Sequence, residues 1–105
     1  MKNIRTDSIE KLLNAIMNIE GKDDLYEFFV DVLTVKELKD MGDRFEAAIM
    51  LKNGENYETI TKTLGLSSAT ISRVSRCINY GNGGYEKAIN AMEKKQWKHL
   101  DMMNI

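Results

Sequence analysis

The chain has 105 residues, 43% hydrophobic and 30% charged, with a net charge of −1, seven Met and no Pro. That length supports one domain burying about 60–68% of its unfolded surface, and the composition excludes a disordered chain. No apolar run is long enough to span a bilayer, and Glu10, Lys11, Asn14 and Asn18 interrupt Ile9 to Ile19 too often for a signal peptide.

In chain order the apolar spacing predicts helices throughout. Asp7 and Glu10 form a capping box, after which Ile9, Leu12, Leu13, Ile16 and Met17 repeat at helical spacing. This predicts an amphipathic helix over residues 8–20, ended by Gly21. Asp23 or Asp24 caps a second helix, whose Leu25, Phe28, Phe29, Val32 and Leu33 share one face through residue 33. Thr34 and Glu37 make a second capping box and open a long helix over 35–53, with Leu38, Met41, Phe45, Ala48 and Ile49 inward. Gly42 inside that helix costs about 1 kcal/mol against Ala and implies a close neighbour there.

Beyond Asn53 and Gly54, Asn56 caps a short helix that buries Ile60 and Leu64. Gly65 sits where the chain must bend, Leu66 fills the corner, and Ser67 caps the next helix. In that helix Ile71, Val74 and Ile78 turn inward, while Ser68, Ala69, Ser72, Arg73 and Arg76 turn out. Three glycines between Tyr80 and Gly84 break the helix, and residues 85–103 form the last one. Its stripe is Tyr85, Ala88, Ile89, Met92, Gln96, His99, Leu100 and Met103, with Trp97 off to the side. The fold class is therefore all-α with about six helices. Residues 7–53 supply helical core, 56–79 a helix pair and 85–103 a C-terminal helix.

The helix pair over 56–79 carries the functional reading. Two short helices joined by a turn containing Gly are the helix-turn-helix unit that places a helix in the DNA major groove. Small residues at the start of the second helix allow close approach to the groove floor. Serine hydroxyls can meet base edges, and an Ala methyl can meet a thymine methyl. Arg73 and Arg76 suit phosphate or guanine, and Lys62 suits phosphate. The expected DNA-binding residues are Lys62, Ser67, Ser68, Ala69, Thr70, Ser72, Arg73 and Arg76.

Charge agrees in its distribution. Residues 1–53 carry 8 basic and 11 acidic groups, net −3, whereas residues 54–105 carry 7 and 5, net +2. So small an excess calls for two copies of the motif rather than one broad positive surface. No catalytic constellation appears, and no cofactor is expected. His99 is the only His, which argues against a metal site. Cys77, the only Cys, excludes an internal disulfide, fits a reducing cytoplasm and reads as a small packing residue.

Leu33 to Arg44, Leu51 to Glu55 and Leu64 to Arg73 resemble the tryptophan repressor family, most of all its small YerC/YecD-type relatives. With looser matches on either side the resemblance covers roughly residues 8–90, and one residue is missing relative to the repressor near Asn56. It implies an intertwined homodimer that binds a pseudo-palindromic operator in double-stranded DNA. It also implies an effector site at Thr34, Arg44 and Arg73, where the repressor stacks its co-repressor between two arginines. This chain has Val74 where the repressor has Gly, and Cys77 where it has a pocket Ser. A branched side chain with little χ1 freedom fills the space that Gly leaves, so L-tryptophan is not expected to bind. The rival reading is a protein-interaction or transcription-accessory module that retains the helix-turn-helix fold.

Overall fold

The computed structural model describes the backbone of residues 4–103 and the side chains of residues 4–94. It contains α1 (Asp7–Asn18), α2 (Lys22–Val32), α3 (Val35–Lys52), α4 (Tyr57–Leu64), α5 (Ser68–Tyr80) and α6 (Gly84–Met103). No strand occurs among the described residues. The chain divides into two compact units, one ending at Leu38 and the other beginning at Lys39, so α3 starts in the first and continues through the second.

Local hydrogen bonds explain most helix starts. Thr34 and Glu37 exchange the two bonds of a capping box: the Thr34 amide donates to Glu37 Oε1 at 2.9 Å and the Glu37 amide to Thr34 Oγ1 at 3.0 Å. These bonds hold the Glu37 carboxyl below its ordinary range. Asn56 Oδ1 caps α4 by accepting from the Thr59 amide at 2.9 Å, and Ser67 Oγ caps α5 by accepting from the Thr70 amide at 3.1 Å.

Two caps differ from the sequence expectation. Thr6, not Asp7, caps α1 by accepting from the Ile9 amide, and Glu10 pairs outward with Arg5. A hydroxyl one residue earlier reaches the orphan amides and leaves Asp7 in the first turn, where the helix dipole favours it. In α2 Gly21 holds the capping position with φ 90° and no side-chain bond, so Asp23 and Asp24 also lie in the first turn.

In the unit up to Leu38 none of the described residues is buried. Ile9, Ile16, Leu25, Phe28 and Phe29 are half-buried, and Met17 is 82% exposed. The unit from Lys39 onward has a true interior. Ala47, Met50, Ile60 and Ile71 form one cluster, with Leu51, Leu64 and Leu66 packed against it. Ala48, Val74 and Ile89 form a second, flanked by Phe45, Ile49, Ile78 and Tyr85. Helix α3 thus presents two apolar stripes. The expected stripe through Phe45 and Ala48 is joined by Ala47, Met50 and Leu51, which share the i, i+3, i+4 spacing.

Five further expectations are corrected. Met41 is 45% exposed rather than inward, and Ala88 and Met92 are likewise exposed. A Cβ added at Gly42 would meet nothing within 4 Å, so no neighbour in this chain requires that glycine. Cys77 is exposed rather than packed. Gln96, Trp97, His99, Leu100 and Met103 lie outside the described side chains.

Candidate nucleic-acid interface

The candidate interface is built by α4, the turn at Gly65 and α5. Gly65 adopts φ 71° and ψ 16°, and its amide donates to the Thr61 carbonyl at 2.8 Å. This left-handed closure ends α4 in one residue, and a side chain there would be strained. Leu66 then packs against the cluster of Ile60 and Ile71, which seals α4 to α5. Val74, 2% exposed, ties the next turn of α5 to α3 and α6. The inner face is thereby fixed by packing, and the outer face is presented on a rigid support.

Helical geometry sorts the expected contacts. At 100° per residue Ser68, Ala69, Ser72 and Arg76 occupy an arc of about 100°, with Arg73 about 40° beyond it. Ser68, Ala69, Arg73 and Arg76 are exposed, and Ser72 is half-buried. No acidic residue occupies the first turn of α5. Ser67 and Thr70 are placed differently. Ser67 Oγ takes the Thr70 amide and donates to Thr70 Oγ1 at 3.0 Å, so the capping pair occupies the Ser67 hydroxyl. Thr70 is half-buried beside it. On α4 the exposed Lys62 ammonium lies 3.3 Å from Glu58 Oε1, one turn earlier. Such a solvated pair is worth less than about 1 kcal/mol and yields readily to a phosphate.

Arg44 and Arg73, from α3 and α5, come together at one cavity of about 210 Å³, whose other walls are Thr70, Val74, Cys77 and Tyr85. Val74 belongs to the core as expected, yet it narrows this space without closing it. Thr34, the third residue of the implied effector site, lies in the unit up to Leu38, and its hydroxyl and amide both serve the cap of α3. Tyr85 was expected only as core. Its place in the cavity wall follows from the glycine break before α6. At Gly81 a Cβ would stand 2.4 Å from the Cys77 carbonyl oxygen, so only Gly lets the chain leave α5 there. Among the described residues no group of three or more His, Cys, Asp or Glu side chains comes together, and no helix is long and apolar enough to cross a membrane.

Comparison with known proteins gives these features a lineage. A family model for Trp repressor protein matches residues 7–93. The uncharacterized protein YerC of Bacillus subtilis is 38% identical over 93 residues, covering 89% of each chain. The crystal structure of a TrpR-like protein from Eubacterium eligens superposes with a TM-score of 0.82 at 40% identity, over 86% of this chain and 93% of that one. A proposed Trp repressor from Staphylococcus aureus gives 0.81 at 37% identity, over 86% and 90%. With a family model spanning most of its length and relatives well above 30% identity, the chain belongs to the Trp repressor family.

Proposed function

We propose that the protein is a sequence-specific, DNA-binding transcriptional regulator that acts as a homodimer in the cytoplasm and does not respond to L-tryptophan. The observation that carries this reading is the outer face of α5. Small side chains and two arginines stand exposed there, on a helix whose inner face is locked by Ile71 and Val74. Ser68, Ala69 and Ser72 read base edges, Arg76 and Arg73 take guanine or phosphate, and Lys62 takes phosphate. Ser67 and Thr70 hold the start of the helix at the duplex. Membership of a repressor family supports the same reading and disfavours an enzyme.

The helices before the motif support the homodimer. Leu12, Leu13, Met17, Tyr26, Val30 and Val32 are exposed in helices with no buried residue. So much uncovered apolar surface marks an association face. A second copy covers it, residues 7–53 act as the dimerisation core, and the open flank of Gly42 accommodates the partner. Two recognition helices then read half-sites about 34 Å apart in a pseudo-palindromic duplex. The cleft that Arg44 and Arg73 line corresponds to the effector site that the family resemblance implies. Its lack of response to tryptophan rests on Val74, which stands as core beside Arg73.

Selection of bound sites from random duplex DNA, followed by sedimentation of the protein with and without the selected site, tests this function. The expected result is a pseudo-palindrome bound by two chains. Recovery of no sequence preference, with DNA binding unaffected by Arg76→Ala and Ser72→Ala, would leave a protein-interaction module as the better account.

A further inference from the structure

The outer face of α5 does not stop at Arg76. Tyr80, the last residue of the helix, is 85% exposed, more than any other aromatic side chain among the described residues. It continues the i, i+4 row of Ser72 and Arg76. At 100° per residue it falls about 120° from Ser68, between Ala69 at about 100° and Arg73 at about 140°. The chain then leaves the helix at Gly81, where a Cβ would stand 2.4 Å from the Cys77 carbonyl oxygen. Tyr80 is therefore the far end of the same face that carries Ala69 and Arg76.

Length decides what this residue would meet. The 13 residues of α5 span about 20 Å, whereas the major groove is about 12 Å wide. A helix that sets Ser68, Ala69 and Ser72 on base edges carries its last turn past the groove floor to the sugar-phosphate wall. That turn contains no basic residue, and its carbonyls present the negative end of the helix dipole. A phosphate there needs a donor that reaches beyond the carbonyls. We propose that Tyr80 is that donor: its hydroxyl bonds a phosphate at the outer edge of the half-site, and its ring lies on the adjacent sugar. The assignment rests on the DNA-binding reading above and adds a backbone clamp to the base contacts of α5. Being neutral, Tyr80 fixes the helix on the duplex without releasing a counterion and without reading a base.

Tyr80→Phe and Tyr80→Ala, made in the full chain, test this on the duplex selected by the wild type and on unrelated duplexes. Tyr80→Phe should weaken both about three- to tenfold, and Tyr80→Ala should weaken them further by removing the ring. The slope of affinity against salt should stay unchanged, unlike that of Lys62→Ala, because no charge is lost. Replacing single phosphates by methylphosphonate should find one position, at the edge of the half-site, that costs binding in the wild type and costs less in Tyr80→Phe. Equal affinity of the wild type and both variants would overturn the proposal while leaving DNA binding intact. An identical methylphosphonate profile in Tyr80→Phe would also overturn it. So would a preference shifted at one base pair, since Tyr80 would then read a base. A variant that sediments as a smaller species would do the same, since the ring would then belong to a contact between copies. A wild-type chain that binds no duplex would overturn the underlying reading as well.

Discussion

The helices up to Leu38 and the unit that begins at Lys39 are built from similar amphipathic segments, yet they reach different ends. The second encloses Ile60, Ile71, Val74 and Ile89 at no more than 2% exposure, in clusters that draw on four helices. The first holds Phe28, Phe29, Leu25 and Ile16 only half-buried and leaves Leu12, Leu13 and Met17 in the open. Amphipathic spacing makes a helix possible but does not create an interior, since an apolar stripe is stable only against another surface. One region carries its own core and can hold a recognition helix rigid. The other leaves its apolar stripes without an interior among the described residues.

The largest expected effect breaks the first half of that contrast. Ile60→Ala or Ile71→Ala should destabilise the protein by about 2–5 kcal/mol in denaturant titrations, because each leaves a cavity where α4 meets α5. A loss below 1 kcal/mol would mean that this core does not hold the motif. Met17→Glu and Leu13→Glu attack the other half. Either should convert a dimer to monomer in sedimentation velocity at micromolar protein, and a wild-type monomer at that concentration would refute the dimer itself.

DNA binding sharpens the contrast at the surface. Ala69→Ser or Ser72→Ala should change preference at one base pair by about 1–3 kcal/mol in competition binding. Lys62→Ala should weaken all duplexes alike and lower the salt slope by about one phosphate. The caps come next. Asn56→Ala and Ser67→Ala should each destabilise by about 0.5–2 kcal/mol, and Asp23→Ala, which caps nothing, by less. Equal losses for all three would contradict the observed hydrogen bonds.

The smallest effect is on pH dependence. Glu37, held by Thr34, titrates below its ordinary value of 4.5 when folded. The unfolded chain therefore binds this proton more tightly than the folded one. Its contribution is fully present above that value and is lost as pH falls through the lower, folded one. Glu37→Gln keeps the cap but not the charge, so it should flatten stability against pH in that acid window. An unchanged profile would show that the carboxylate's titration plays no part.

Much of this was legible in the residues because the interactions responsible span three or four positions. The boxes at Thr34 and Glu37, the caps at Asn56 and Ser67 and the turn at Gly65 are hydrogen bonds between near neighbours, and the side chains that make them are identifiable in order. Legibility failed where neighbours compete for one role, as when Thr6 rather than Asp7 capped α1. It failed again at Gly21, which holds the capping position expected of Asp23 or Asp24.

The amino-acid sequence by itself determined six helices, the helix-turn-helix and the outward set of Ser68, Ala69, Ser72, Arg73 and Arg76, since period and capping act within one segment. Only the tertiary structure decided which apolar side chains became interior. Ala47 and Met50 are buried while Met41 and Met92 are not, although all four lie at plausible helical spacings. That outcome depends on where α4, α5 and α6 come to rest against α3. The same holds for the cavities that Tyr85 helps to line. Lys52 and Glu86, which border one of them, are 34 positions apart, too far for any local rule. Burial and cavity walls are properties of surfaces meeting, and those surfaces meet only once the chain has folded.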